Sequence, residues 1–359
     1  MGAANSMPRA LVVGATGIVG LNLANHLVEQ PDWTVFGLAR RPSALAGVQG
    51  IAADLLNPQA LRTALAGTGP THVFLAAWLR QSSEAENIRV NSALVRNVLE
   101  ALSRAGTVQH VALVTGLKHY LGPFEAYGLG QLPVTPFREE QPRLDLANFY
   151  YAQEDEVFSA AKRDGFHWSV HRPHTIIGYA LGNAMNMGVT LAVYASICRE
   201  TGRRFLFPGS LTQWNSLTDM TDASLLARHL QWAATTPAAY NQALNIVNGD
   251  VFRWSWMWGR IAQWFGVVPE PLPAPGLPLE VQLADAAPVW KKIAQKHGLR
   301  EEDLNLLISA WHTDADLGRP IEVVTDMSSS RKLGFLDYQA TDDSFFGLFT
   351  RLRAAKIIP

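Results

Sequence analysis

Three glycines near the N-terminus have the spacing of a phosphate-binding turn. Gly14, Gly17 and Gly20 form G-x-x-G-x-x-G directly after the apolar run ALVV and directly before a helix with apolar periodicity. Glycine at these places permits a tight turn, close backbone approach to a pyrophosphate and close packing of helix on strand, and the helix N-terminus attracts the anion. The pattern predicts a dinucleotide site that also includes Thr16 and Ile18. A glycine-rich turn without a ligand is the alternative.

The next predicted strand ends in two arginines at the place where such a site meets the adenosine ribose. The run TVFGLA is followed by Arg40 and Arg41, whereas NAD enzymes usually place an acid about twenty residues after the glycines. A guanidinium can pair with a 2′-phosphate, which a carboxylate would repel, so the pair favours NADPH over NADH. A solvated arginine pair is the alternative. Asp54 and Leu55 are predicted to contact the adenine end of the cofactor.

Composition excludes several classes of partner. The 359 residues are 48% hydrophobic and 17% charged, with a formal net charge of -1, which suits a globular protein with a sizeable core. The absence of a block of like charge argues against nucleic acids and membrane surfaces and favours a small-molecule partner. Cys198 is the only cysteine and we see neither a secretion signal nor a membrane span, so we expect a cytoplasmic protein. A homodimer is one option for its assembly.

Short apolar runs alternate with helical patterns from ALVVG to HVALVTG. This alternation predicts βαβ units and an α/β fold with a doubly wound, Rossmann-type parallel sheet. Residues 7–180 are predicted to form the dinucleotide-binding domain, with 212–248 returning to the sheet. The less regular residues 181–211 and 249–359 are predicted to form a smaller, C-terminal substrate-capping domain.

Several longer motifs resemble one family of enzymes. They are GATGIVG, LARRP, TGLKHYLGPFEAYG, NFYYAQED and WSVHRPHTIIGYA. Over nearly its whole length the chain resembles the progesterone 5β-reductase/iridoid synthase-like family of extended short-chain dehydrogenases/reductases. The resemblance implies an NADPH-dependent oxidoreductase that reduces the C=C bond of α,β-unsaturated carbonyl compounds, 1,4 fashion, with a steroid, a monoterpenoid or another small apolar enone as substrate.

The catalytic residues implied by the resemblance are Tyr150 and Lys118. Ordinary members of the superfamily carry Tyr-x-x-x-Lys on one helix, where the ammonium lowers the pKa of the phenol, but Tyr150 is followed at the fourth position by Glu154. In the resembled family a lysine of the TGxKHY motif replaces the missing one, and Lys118 is that residue here. The two side chains are implied to stabilise the enolate. A solvated lysine and a half-buried helix tyrosine are the alternatives.

The resemblance also implies which residues surround the reacting groups. The predicted neighbours of the nicotinamide are Thr115, Pro173 and Ile176, together with Tyr150. The predicted walls of the substrate pocket are Trp78, Phe124, Met185 and Trp311, for which ordinary core packing is the alternative. His174 stands where the resembled family has a small residue, which leaves the substrate preference open.

The same residues allow other interpretations. His167, His171 and His174 do not share one face of a strand and lack the spacing of a zinc motif, so no metal is predicted. A carbonyl 1,2-reductase or an epimerase-like enzyme is a second hypothesis about the function. A non-catalytic NADP(H)-sensing regulator is a third.

Overall fold

The computed structural model describes residues 7–42, 44–123, 134–182, 185–270 and 276–359. One parallel sheet of seven strands lies at its centre. These strands are β1 (Arg9–Val13), β2 (Thr34–Ala39), β3 (Val48–Ala52), β4 (His72–Leu75), β5 (His110–Val114), β6 (His167–Pro173) and β10 (Gln242–Ile246). Their order is β10-β6-β5-β4-β1-β2-β3, so the predicted Rossmann-type fold is confirmed.

Helices cover both faces of this sheet and continue beyond it. They are α1 (Ile18–Val28), α2 (Pro58–Leu65), α3 (Glu84–Ser103), α4 (Lys118–Leu121), α5 (Phe149–Asp164), α6 (Met187–Thr201), α7 (Leu211–Asn215), α8 (Ala223–Thr235), α9 (Trp254–Phe265), α10 (Leu279–Gln282), α11 (Ala286–His297), α12 (Leu304–Leu307), α13 (Ala310–Leu317), α14 (Ser328–Lys332) and α15 (Thr341–Ala354). A 3-10 turn spans Pro237–Ala239. No described helix is both long and apolar enough to cross a membrane.

The strand sequences explain the two layers of helices. Successive side chains of a strand point to opposite faces, and in β1 the side chains of Ala10 and Val12 join one apolar core while Leu11 and Val13 join another. The first core contains α1 and α8, and the second contains α2, α3 and α5. Because both faces are covered, the strand reads as a continuous apolar run rather than an alternating one.

A third core lies outside the sheet and is rich in aromatic residues. It joins α6, α9, α11 and α15, and its centre includes Trp258, which stacks on Phe205 with 4.1 Å between ring centroids. Two short parallel pairs flank it, β7 (Ile176–Ile177) with β9 (Thr221–Asp222) and β8 (Phe205–Leu206) with β11 (Pro269–Glu270). These elements lie in the part of the chain that follows the alternating βα units.

The strand order fixes where a ligand can bind. In a doubly wound sheet the crevice opens at the carboxyl ends of the strands, at the point where the order reverses. That point lies between β1 and β4 here. The glycine turn begins at the carboxyl end of β1, and the segments that follow β4, β5 and β6 begin at the same edge of the sheet. All four segments can therefore contribute to one site.

Candidate active site

A cleft of about 720 Å³ opens at this edge of the sheet. It brings together most of the residues predicted from the sequence. Those predicted residues that line it are Gly14, Thr16, Gly17, Ile18, Arg40, Asp54, Leu55, Trp78, Thr115, Lys118, Tyr150, Pro173, Ile176 and Met185. The glycine turn and the Lys118–Tyr150 region, far apart in sequence, thus face one continuous cavity.

The glycine turn has the geometry that a dinucleotide requires. Gly14 has φ +87°, a conformation that residues with a side chain rarely adopt. Gly20 is buried in α1, where an added Cβ would lie 2.2 Å from the Gly14 carbonyl oxygen, so it serves helix–strand packing rather than the cleft wall. The helix begins after Gly17 with no side chain capping its first N–H groups. These donors suit a pyrophosphate.

The two arginines differ in position. Arg40 is exposed and lines the cleft, as do Asp54 and the half-buried Leu55. Arg41 is exposed as well but does not line the cleft. The carboxylate of Asp54 accepts a hydrogen bond from the backbone N–H of Leu56 at 3.0 Å, which fixes its orientation at the end of the loop.

Three contacts join the segments that carry Lys118 and Tyr150, and the first is made by a buried side chain. Asn148 caps α5 by accepting a hydrogen bond from the Tyr150 N–H at 3.0 Å, and its Nδ2 donates to the Lys118 carbonyl at 2.8 Å. Phe149 makes the second contact, because the Lys118 ammonium lies 5.4 Å from the centre of its ring. Tyr151 adds a third tie, since its hydroxyl donates to the His119 carbonyl at 2.7 Å. The run NFYY therefore fixes the start of α5 against α4.

The surroundings of Tyr150 keep its phenol protonated. Burial raises the pKa of Tyr150 above its usual range, and the carboxylates of Glu84 and Asp316 raise it further. Glu84 is held close by, because it accepts a hydrogen bond from the Phe149 N–H at 2.7 Å. The phenol lies against the end of β5, where a Cβ built on Gly116 would be 3.4 Å from the Tyr150 oxygen. A protonated phenol can donate one strong hydrogen bond into the cleft.

The helix position that usually carries the lysine of this superfamily has another role here. Glu154, one turn after Tyr150, is 2% exposed and pairs with Arg143 at 2.7 Å and with Arg172 at 3.6 Å. It does not line the cleft. Glu154 therefore ties α5 to Arg143 and to Arg172 of β6, whereas Lys118 lines the cleft, as Tyr150 does.

The predicted pocket walls are only partly brought together. Trp78 stacks on Phe149 with 5.5 Å between ring centroids, and Met185 is exposed at the cleft. Trp311 is half-buried, does not line the cleft, and packs under the Arg80 guanidinium, 3.6 Å from its ring centre. Phe124 lies outside the described residues.

Sequence reasoning missed a polar group on the cleft wall. His312, Asp316 and Arg319 line the cleft together with Thr175 and His174. The first three are spaced four and then three residues apart around α13, which is the spacing of one helical face. That periodicity could have grouped them, but it does not tell which face of the helix meets the cleft.

His171, one of the histidines of the HWSVHRPH run, makes a hydrogen bond to a protein group rather than facing a metal-binding cluster. His171 Nδ1 lies 2.9 Å from His229 Nδ1, and His229 Nε2 lies 3.0 Å from the Ser330 hydroxyl. Burial lowers the pKa of His229 to about 3, so the ring is neutral. No group of metal-binding side chains occurs among the described residues.

The fold and the site together define a Rossmann-fold, dinucleotide-binding enzyme. Solved structures with the same fold include WbmG of Bordetella bronchiseptica in complex with NAD, with a TM-score of 0.67, 16% identity and coverage of 99% of this chain and 96% of that one. At this identity the likeness establishes the fold alone.

Closer relatives establish the family. The model of the PRISE-like Rossmann-fold domain matches residues 67–359. The (S)-8-oxocitronellyl enol synthase of Camptotheca acuminata is 38% identical over 98% of this chain and 93% of its own length, and the 3-oxo-Δ(4,5)-steroid 5-beta-reductase of Arabidopsis thaliana has the same identity and coverage. The chain belongs to the PRISE-like family of short-chain dehydrogenases/reductases. The predicted family and the assignment to the oxidoreductases are confirmed.

Gly17 offers a test of the dinucleotide site that leaves the fold intact. Its backbone is extended, and an added Cβ would meet only the Gly14 carbonyl oxygen at 3.4 Å, an ordinary contact. We expect Gly17→Ala to unfold at nearly the wild-type temperature but to bind NADPH and NADH about tenfold more weakly or worse, because the methyl group occupies the path of the pyrophosphate.

The measurement is calorimetric titration beside thermal unfolding. Gly259→Ala is the matched control, because a Cβ at this helical glycine meets no atom within 4 Å. Unchanged affinity in Gly17→Ala would contradict the placement of the pyrophosphate at this turn.

Proposed function

We propose that this protein is an NADPH-dependent reductase of enones, in which Tyr150 and Lys118 stabilise the enolate. The observation that carries the proposal is the arrangement of these two side chains on one cleft with the glycine turn. Asn148 holds their backbones together. The relatives support the reaction class, since the name of the steroid reductase describes a carbonyl conjugated to a C4–C5 double bond that is reduced at C5, the β-carbon.

The chemistry divides between the cofactor and the chain. Bound NADPH would supply a hydride for the β-carbon of the enone. Negative charge then collects on the carbonyl oxygen, and the α-carbon of the enolate takes a proton from water. The protonated Tyr150 phenol and the Lys118 ammonium donate hydrogen bonds to that oxygen. Because the pKa of Tyr150 is raised, direct donation by a neutral phenol fits better than deprotonation of Tyr150.

The cofactor site follows from the glycine turn and the residues around it. The residues that would hold the dinucleotide are Gly14, Thr16, Gly17, Ile18, Arg40, Asp54, Leu55, Thr115, Pro173 and Ile176. Arg40 lines the cleft and would pair with the 2′-phosphate that distinguishes NADPH from NADH. Arg41 lies beside it and adds positive charge at longer range.

The division into domains, the cellular location and the assembly of the protein stay predictions. We propose that residues 7–180 and 212–248 form the dinucleotide-binding part and that 181–211 and 249–359 form the capping part, supported by the separate aromatic core of the latter. A cytoplasmic location is supported by the free and buried Cys198. A homodimer stays a prediction.

Tyr150→Phe tests the catalytic assignment. We expect kcat for enone reduction to fall about 10²- to 10³-fold, because one oxyanion donor is lost, while the Kd for NADPH stays within about twofold. Tyr151→Phe is the matched control, since its hydroxyl bonds to backbone at His119 and Leu144. That variant should lose about 1–2 kcal/mol of unfolding free energy with a much smaller loss of rate.

The assay follows NADPH oxidation with a panel of enones and identifies the products by mass. Saturated carbonyl products are expected. Allylic alcohols as products, or full turnover in Tyr150→Phe, would contradict the proposal.

Asn148→Ser tests whether the catalytic geometry depends on the amide that joins the two segments. Serine keeps a cap for α5 but is too short to donate to the Lys118 carbonyl. We expect kcat to fall about tenfold or more, with the KM for NADPH nearly unchanged, because the chemical step is sensitive to small displacements. Asn248→Ser is the control, since Asn248 is fully buried and bonds the Asp222 N–H and the Thr341 hydroxyl, outside the cleft. Equal losses of kcat in both variants would mean that Asn148 is merely structural.

Arg40→Asp tests the cofactor preference. A carboxylate at this position repels the 2′-phosphate and can bond the ribose hydroxyls, so we expect the ratio of kcat/KM for NADPH over NADH to fall about a hundredfold or more. Arg41→Asp should change the ratio much less, because Arg41 lies outside the cleft lining. The proposed role of Arg40 is wrong if the two variants shift the ratio equally.

A further inference from the structure

A chain of polar side chains runs along the cleft wall and makes none of the hydrogen bonds proposed above. Asp219 accepts a hydrogen bond from His174 Nδ1 at 2.9 Å, and His174 Nε2 lies 3.1 Å from Arg319 Nη1. Arg319 Nη2 lies 3.2 Å from one carboxylate oxygen of Asp316, whose other oxygen accepts from the Thr175 hydroxyl at 2.8 Å. All but Asp219 line the cleft.

The direction of these hydrogen bonds fixes the state of His174. A guanidinium can only donate, so His174 Nε2 must accept from Arg319 and the ring proton must lie on Nδ1, facing Asp219. The ring is therefore neutral and has no proton to give to a ligand in the cleft. Its role is to hold Arg319, and the side chains of His174 and Asp219 are almost fully buried.

Arg319 and Asp316 are the members of this chain that can serve a ligand. The Arg319 side chain is only 5% exposed, and its Nε also donates to the Asp316 carbonyl at 2.8 Å. Of its five N–H donors, three have the partners just named, which leaves two without an acceptor among the described residues. Each carboxylate oxygen of Asp316 keeps a second lone pair. A donor and an acceptor therefore lie side by side on the wall of the cleft.

This pairing selects one kind of substituent. An alcohol both accepts and donates, so it can satisfy Arg319 and Asp316 at once. A ketone can use only the donor, and a carboxylate would be repelled by Asp316. We propose that Arg319 and Asp316 form a subsite for a hydroxyl group of the enone substrate, held in place by His174, an inference that rests on the proposed function.

The field of Asp316 relates this subsite to the reacting groups. The same carboxylate acts on the phenol of Tyr150 and on the ring of His312. Because Asp316 and Arg319 line the same cleft as Tyr150 and Lys118, we place the hydroxyl on the molecule that carries the reacting carbonyl. A primary amide, such as the carboxamide of the nicotinamide, also offers both a donor and an acceptor. The cofactor could therefore bind Arg319 and Asp316 in place of a substrate hydroxyl, and the experiment must distinguish these two ligands.

The experiment compares matched substrates in one enzyme sample. A series of enones carries a hydroxyl at successive distances from the carbonyl, and each member is assayed beside its deoxy parent and its oxo analogue. The readout is the ratio of kcat/KM for the hydroxylated enone over its parent, from which the fraction of folded enzyme cancels. We expect a ratio of about 10 to 100 at one position, as a hydrogen bond to a charged group gives, and a lower ratio for the oxo analogue.

Variants assign that ratio to the two side chains. Asp316→Ala and Arg319→Lys should bring it close to one, whereas Asp316→Asn, which keeps an acceptor, should retain part of it. Asp314→Ala is the matched control on the same helix, because Asp314 accepts from the N–H groups of Leu279 and Glu280 and does not line the cleft. It should leave the ratio at its wild-type value.

Each other outcome overturns the proposal in a recognisable way. Ratios near one across the series, with the deoxy parents reduced normally, would contradict the proposed subsite but not the proposed reductase function. A preference that survives Asp316→Ala places the hydroxyl elsewhere. If the Kd for NADPH, measured by calorimetry, rises tenfold in Asp316→Ala while the ratio stays unchanged, the pair belongs to the cofactor. If no enone is reduced, the proposed function fails first and the subsite fails with it.

Discussion

The geometry of the site depends on one side-chain amide. Lys118 and Tyr150 come from different elements, and catalytic groups must be held to within fractions of an ångström. In the usual arrangement of this superfamily one turn of helix sets that distance. Here Asn148 joins the two elements, by bonding the Lys118 carbonyl while capping the helix that begins beside Tyr150. The helix position thus released is occupied by Glu154, which is buried, pairs with Arg143 and Arg172, and does not line the cleft.

The electrostatics of the cleft follow from the same arrangement. The Tyr150 phenol is half-buried in the cleft wall, and this burial, together with the carboxylates of Glu84 and Asp316, raises its pKa, so the O–H stays in place. A neutral donor costs little to bury, whereas a phenolate would be costly there. In the reaction we propose, the positive charge opposite a developing enolate comes from Lys118, whose ammonium also lies over the Phe149 ring. The phenol and the ammonium therefore have separate tasks, and neither must change its protonation state during hydride transfer.

Local patterns predicted the fold and the glycine turn, because strand runs, helix periods and glycine spacing are local signals. The pairing of Lys118 with Tyr150 came from a resemblance, since no local pattern tells that residues on two elements meet. Trp311 and His312 show that the apolarity of a side chain does not by itself predict which residue lines the pocket. The tryptophan was predicted for the pocket, but it packs beside Arg80 outside the lining while the neighbouring histidine faces the cleft. Adjacent residues on a helix point about 100° apart, and the sequence does not tell which one faces the ligand.

The residues that we propose for catalysis and those that we propose for recognition lie on different elements. Tyr150 and Lys118 belong to α5 and α4, which pack directly on the sheet, whereas Asp316 and Arg319 belong to α13 and the residues after it. A substitution in α13 can therefore change which substrate binds without moving the oxyanion donors. His174 connects the two parts, because it follows β6 at the sheet edge and bonds Arg319. With a small residue there, Arg319 would lose its neutral partner and Asp219 would lose the donor that covers it, so the histidine and the arginine are best understood as one unit of specificity.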